Sequence, residues 1–226
     1  MTYEHIVEGV FRARPNRFVA QAEIEGRLET VHVKNTGRCK ELLVPGAKVY
    51  LDKTGNPNRA TQYDLVAVRK GERLINMDSQ APNKAFLEHL QSGRYMENIT
   101  LIRPETVYGD SRFDFYVEAG ERKLFIEVKG VTLEQGGAAL FPDAPTQRGV
   151  KHLNELVKCV REGYEAQIVF VIQMGNVRYF TPNIVTHPAF GEALTAAAAA
   201  GVRALAFDCG VTPSSITIGK PVPVKL

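Results

Sequence analysis

Three cysteines in 226 residues, Cys39, Cys159 and Cys209, lie far apart and are odd in number. None stands in a C-x-x-C pair or beside a histidine at ligand spacing, so no zinc site or disulfide framework is indicated. No stretch approaches the ~18 continuous apolar residues of a membrane-spanning helix. The start, Met1-Thr2-Tyr3-Glu4-His5, lacks a basic segment followed by an apolar run and does not read as a secretory signal. Neither sign of charge dominates. Lys and Arg total 28 against 25 Asp and Glu, a net charge of +3 that suits an anionic partner without requiring one. There is no internal repeat or low-complexity tract, and the alanines at 196–200 express helix propensity. These absences point to a cytoplasmic chain with reduced thiols and no membrane contact. Nothing marks an obligate protein partner, and a homodimer is left open.

What is present is globular. Hydrophobic residues make up 44% and charged residues 23%, and the length suits one large domain or two small ones. Strand-like segments at 6–11, 18–25, 28–33, 47–52 and 65–69, punctuated by Gly, Pro and Asn, predict a small all-β barrel of OB-like type over residues 1–80. Residues 81–226 change period. A short helix carrying Phe86, Leu87 and Leu90 ends at Gly93, and strands follow at 99–107, 113–117 and 124–128. After a loop with Pro142 and Pro145 comes a helix. Its apolar face reads as Val150, Leu153, Leu156, Val157 and Val160, and its polar face as Arg148, Lys151, His152 and Glu155. A continuous apolar strand at 167–173, an Ala-rich helix at 190–200 and a last strand at 202–207 complete an α/β domain.

Chemistry concentrates in Ser111-Arg112-Phe113-Asp114-Phe115 and Ile126-Glu127-Val128-Lys129-Gly130. On a strand, residues two apart share a face, so Glu127 and Lys129 project together with Val128 behind them. The turn residues 118–122 make a hairpin that brings Asp114 beside that pair. Two carboxylates converging with one ammonium suit a hard divalent cation and phosphodiester cleavage.

The order helix, three strands, helix, strand (αβββαβ) resembles the core of the PD-(D/E)xK, or restriction-endonuclease-like, superfamily. That resemblance implies roles for Glu88 on the helix, Asp114 on the second strand, and Glu127 and Lys129 on the third. Asp114, Glu127 and the Val128 carbonyl would ligate Mg²⁺ or Mn²⁺, Glu88 would complete the site, and Lys129 would orient the attacking water. Phe113 replaces the proline expected before the aspartate, and Pro142-Asp143 comes too late in the chain to serve.

The chain as a whole resembles the sugar fermentation stimulation protein A family. The resemblance rests on Asn35-Thr36-Gly37-Arg38, Arg112-Phe113-Asp114-Phe115, Glu127-Val128-Lys129-Gly130-Val131-Thr132-Leu133 and Phe141-Pro142-Asp143-Ala144. Thr146, Arg148-Gly149, Lys151-His152-Leu153 and Glu155-Leu156 extend it. It implies an N-terminal OB domain, a C-terminal nuclease-like domain, DNA binding and a link to maltose metabolism.

Arg14 and Arg17, near Phe11 and Phe18, and Arg38 in its polar turn are candidate nucleic-acid contacts on the barrel, as are Arg148, Lys151 and His152 on the second helix. Barrel packing and a solvated helix face with a Lys151–Glu155 pair explain the same residues equally well. The function expected is binding of single- or double-stranded DNA with weak sequence preference, joined to a Mg²⁺- or Mn²⁺-dependent nuclease site. A non-catalytic DNA-binding regulator of sugar-utilisation genes is the alternative. An RNA-processing factor is a third class.

Overall fold

A computed structural model describes residues 1–35 and 37–226; Thr36, part of the motif quoted above, lies outside the described residues. The first six strands are β1 (Ile6–Asn16), β2 (Val19–Ile24), β3 (Arg27–Val33), β4 (Lys48–Lys53), β5 (Tyr63–Lys70) and β6 (Arg73–Asn76), in sheet order β3-β2-β1-β4-β5-β6. Parallel pairing of His32 with Asp64 and Val33 with Leu65 joins β3 to β5 and closes a five-stranded barrel. Strand β1 serves two neighbours, its first half pairing with β4 and its second with β2. At the crossing Gly9 has no room for a side chain, since a Cβ would lie 2.9 Å from the Glu23 carbonyl and 3.0 Å from Leu51. Phe11, Val31, Val49, Leu51, Leu65 and Val68 fill the barrel.

The second half contains α1 (Ala81–Gln91), β7 (Ile99–Tyr108), β8 (Ser111–Ala119), β9 (Arg122–Val131), β10 (Leu133–Gln135), β11 (Ala138–Phe141), α2 (Gln147–Arg161), β12 (Glu165–Ile172), β13 (Tyr179–Pro182), α3 (Pro188–Ala199), β14 (Arg203–Thr212) and β15 (Ser215–Pro221). Its main sheet runs β15-β14-β12-β9-β8-β7, with β7, β8 and β9 antiparallel and β9, β12 and β14 parallel. Helix α1 covers one face, where Ala85, Phe86 and Leu90 meet Phe115, Leu124, Ile126 and Val128. Helices α2 and α3 cover the other, with Leu153, Leu156, Phe190 and Leu194 in the larger core. All three cysteines are buried and unpaired.

Five strands, β6, β10, β11, β13 and β15, escape the sequence reading. Strands β6, β10, β11 and β13 have only three or four residues each, too short for an alternation to register. Strand β14 is not the last, because β15 pairs back on it from Thr212↔Ser215 to Phe207↔Pro221. The polar face assigned to the second helix is also corrected. Gly149, His152, Leu153, Glu155, Leu156 and Cys159 are its buried positions, while Val150, Val157 and Val160 are half-buried. Glu155 pairs with Lys158, and Lys151 instead donates to the Asp110 carbonyl at 2.8 Å.

The two halves are joined by polar contacts. Gln173, just past β12, donates its amide to Asn76 Oδ1 at 2.9 Å and to the Asp78 carbonyl at 3.0 Å, and its carbonyl accepts the Asn76 N–H. Glu134 on β10 takes Arg73 at 2.7 Å and Lys70 at 3.4 Å from the barrel. Burial opposes ionisation of Glu134, but the Gly137 N–H and these two cations hold its carboxyl below the usual range.

Candidate active site

The β8–β9 ladder reaches Phe115↔Ile126, and beyond it a side chain takes over from the backbone. Asp114 Oδ2 accepts the Val128 N–H at 2.7 Å. Phe113 joins the α2-side core and Phe115 the α1-side core, so the usual alternation breaks at Asp114. Its other oxygen, Oδ1, accepts from the Asn83 amide at 2.6 Å, which ties the first turn of α1 to the strand.

Glu127 faces the α2 side and is 2% exposed. Its Oε1 accepts from the Lys129 ammonium and from His152 Nδ1, while Oε2 is buried without a partner among the described residues. His152 is 4% exposed, packs edge-on against Phe113, and has its Nε2 3.3 Å from Arg148 Nε. Because that guanidinium nitrogen carries a hydrogen, Nε2 must accept, which assigns the proton to Nδ1 as donor to Glu127. A chain of contacts thus runs Arg148–His152–Glu127–Lys129.

The two carboxyls are driven in opposite directions. Burial and the neighbouring Glu127 charge raise Asp114, against the Val128 N–H, Lys129 and Asn83. Burial also works on Glu127, but His152 and Lys129 overcome it and keep that group below the usual range. The residues fit a hard cation on two counts. The donors are carboxylate oxygens, and Glu127 Oε2 is a buried lone-pair site that no group of the described residues satisfies. Among the described residues, however, no group of three or more His, Cys, Asp or Glu side chains is arranged to hold a metal.

The structure brings Asp114, Glu127, Val128 and Lys129 together and adds Asn83, His152 and Arg148. It does not bring Glu88. That side chain is more than half exposed, and its carboxylate holds the Met1 ammonium instead. It stands five positions after Asn83, about 140° round the helix, which turns it well away from the α1 face that meets Asp114. Arg14 is not available to phosphate either. Its guanidinium donates to the carbonyls of Arg17 (2.7 Å), Asn35 (2.8 Å), Gly37 (3.0 Å) and Arg38 (2.7 Å), which makes it the clamp of that loop. His152 is buried, so it too is not a surface contact.

Arg17, Arg38 and Lys40 remain exposed around a recess of about 420 Å³ that Ala144 of the second domain also lines. Arg17 lies 5.8 Å above the ring of Phe18, itself 51% exposed. Asp143, set aside in the sequence as too late for the acidic motif, accepts the Arg38 N–H at 3.2 Å and fixes this loop against the second domain.

Known proteins share this arrangement of domains. Residues 13–77 match the family model described as the SfsA N-terminal OB domain, and residues 80–215 match the sugar fermentation stimulation protein RE domain. The chain belongs to the sugar fermentation stimulation protein family. Homologues in that family are 59% identical in Desulfitobacterium hafniense strain Y51 and 54% identical in Clostridium beijerinckii. The match spans 100% of this chain in both, with 99% and 100% of the respective relatives. The solved structure of Pyrococcus furiosus SfsA in complex with Ca²⁺ superposes with a TM-score of 0.90 at 30% identity, covering 100% of this chain and 98% of that one. Among the described residues, no helix is long and apolar enough to cross a membrane.

Of the residues that the structure adds, His152 carried a partial signal in the sequence. His152 follows Gly149 by three residues and precedes Leu156 by four, the spacing of a buried stripe. Nothing in the pattern singles out Asn83.

The opposed carboxyls give a stability prediction. A raised carboxyl stabilises the fold fully below its unfolded pKa and loses that contribution as pH rises through the folded value. Asp114→Asn should therefore raise the melting temperature in chelator at neutral pH by roughly 2–4 °C, the change that ~1 kcal/mol makes at this length. The gain should vanish in acid below the ordinary carboxylate pKa of about 4. Melting curves of parent and variant at both extremes check it.

Proposed function

We propose that the protein binds DNA with weak sequence preference and hydrolyses phosphodiester bonds at Asp114, Glu127 and Lys129 with Mg²⁺ or Mn²⁺. The observation that carries this reading is the buried, unpartnered Glu127 Oε2 beside an Asp114 carboxyl whose ionisation Glu127 opposes. An anionic phosphate would worsen that repulsion, whereas a cation between the groups removes it. The Ca²⁺ complex of the Pyrococcus relative supports the same chemistry, because Ca²⁺ and Mg²⁺ both take oxygen ligands.

Each residue then has a definite task. His152 and Lys129 hold Glu127 ionised and fix Oε1, so that Oε2 faces the free position. The Val128 N–H and Asn83 orient Asp114 through one lone pair on each oxygen. Lys129 spends one of three donors on Glu127 and keeps two for a phosphate oxygen or an attacking water. A bound cation would supply Lewis-acid polarisation of the phosphate and offset its developing charge. Arg17, Arg38 and Lys40 give the barrel a cationic surface, with Phe18 as a stacking platform. A cytoplasmic location fits the buried, unpaired cysteines.

A second reading, a non-catalytic DNA-binding regulator of sugar-utilisation genes, is favoured by one feature. Helix α1 offers Asp114 an amide from Asn83 where a third carboxylate would strengthen the site, and Glu88 is engaged elsewhere. The family name carried by the relatives suits this reading as well.

Binding should be mainly electrostatic. On a plot of log affinity against log salt, Arg17→Ala and Arg38→Ala should each make the slope shallower by about one unit. Salt-independent affinity, or strong preference for one short operator, contradicts this.

Hydrolysis is tested separately, with labelled single-stranded, duplex and flapped DNA and with RNA, in Mn²⁺ or chelator. Lys129→Ala should keep DNA and cation binding and lose turnover by about 10²-fold or more. Absence of Mn²⁺-dependent cleavage by the parent above the variant's background leaves the regulator as the function.

A further inference from the structure

A separate cavity of about 320 Å³ lies on the α1 face of the main sheet, at the far end of α1 from Asn83. From Asn83 to His89 the helix advances about 9 Å, whereas Glu127 faces α2 on the other side of the sheet. Tyr95, Phe207 and His89 form an aromatic wall, with ring centroids 6.0 Å (Tyr95–Phe207), 5.9 Å (His89–Tyr95) and 5.8 Å (His89–Phe207) apart. Arg94 and Arg203 stand exposed at its edge, and neither makes an ion pair among the described residues. Arg122 is also there but is neutralised by Glu165 at 2.6 Å.

The wall holds polar groups that packing alone does not account for. Gln167 is 1% exposed near the start of β12, ahead of its apolar run; its Oε1 accepts from the Tyr95 hydroxyl, and its amide nitrogen makes no hydrogen bond among the described residues. His89 is 9% exposed and its Nδ1 has no partner among the described residues. A cavity with flat aromatic sides, unused amide and imidazole functions and two unpaired guanidiniums at the mouth has the chemistry to recognise a planar heteroaromatic ring bearing an anion. Its volume is near the lower end of small-ligand sites and admits one such unit.

We propose that this cavity binds a single nucleotide, with its base against Tyr95 and Phe207 and its phosphate on Arg94 and Arg203. Base–aromatic contact and charge-assisted bonds from arginine are both sequence-tolerant, so any of the common bases would enter. Gln167 gives the base edge a donor or acceptor. His89, which burial and Arg94 hold below the usual imidazole range, meets it as a neutral ring. The site does not depend on hydrolysis at Asp114 and Glu127. Its nucleotide is either free in solution or the phosphorylated end of a strand, and the chemistry of recognition is the same for both.

Methyl NMR of the full chain reads the cavity directly, because Met96 and Leu205 line it. Adenosine monophosphate titrated in chelator, which keeps cations from the carboxylates, should give saturable shifts at both residues. Adenosine and inorganic phosphate should each bind about tenfold more weakly or worse. The double variant Arg94→Gln, Arg203→Gln alters only exposed side chains, and unchanged circular dichroism checks its fold. It should lose affinity for adenosine monophosphate by a similar factor. A short 5′-phosphorylated oligonucleotide forms the second arm. Binding of the oligonucleotide alone, with the same arginine dependence, assigns the site to strand ends; binding of the free nucleotide assigns it to the free ligand. No saturable shift with either probe, or equal affinity in parent and double variant, overturns the proposal.

Discussion

Glu127 is a carboxylate kept almost entirely out of water, and an ion in that position persists only where donors surround it. His152 and Lys129 supply those donors to one oxygen, and among the described residues none reaches the other. Several features of the C-terminal domain follow from this asymmetry. Helix α2 must bring an imidazole rather than an aliphatic side chain to the sheet, and Arg148 must stand beside it to select the tautomer. Lys129 must share a face with Glu127, which the two-residue period of β9 guarantees. Asp114 completes the group by inserting its carboxylate where β8 and β9 part, so its position depends on the end of the ladder as much as on its own strand.

The barrel is held against this site by contacts of a different kind. Arg14 gathers the carbonyls of Asn35, Gly37 and Arg38, and Asp143 then takes the Arg38 N–H from across the junction. Glu134 with Arg73 and Lys70, and Gln173 with Asn76 and Asp78, make two further polar joints. With several buried or half-buried hydrogen bonds between them, the halves present one continuous surface. The exposed cations of the barrel recess therefore keep a defined position relative to the second domain, whose Asp143 and Ala144 border the same recess.

Much of this was legible in the sequence where a short period carries the information. The five barrel strands, the β7–β8–β9 meander, both long helices and the pairing of Glu127 with Lys129 follow from alternation, turn residues and helical spacing. What was not legible depended on convergence in space. Arg14 looks like any basic residue beside an aromatic, and only the folded turn shows four carbonyls meeting it. Glu88 had the right residue type on the right helix, but helical phase turns it towards Met1 and gives Asn83 the contact with Asp114. Counting apolar residues put His152 and Glu155 on the wet side of α2, because a buried ion pair or tautomer is indistinguishable from a solvated one in a one-dimensional pattern. Strands of three or four residues, such as β10 and β13, are set by their neighbours rather than by their own composition.

The central claim is that Glu127 Oε2 and Asp114 leave a place for one hard cation. Anomalous scattering from crystals of the protein grown with Mn²⁺ tests it most directly. The account predicts a single strong peak bounded by Asp114 and Glu127 Oε2, with oxygen ligands at about 2.0–2.2 Å and no histidine in the first coordination sphere. Crystals that show no peak there, or one held elsewhere in the chain with Glu127 Oε2 still unpartnered, would contradict it.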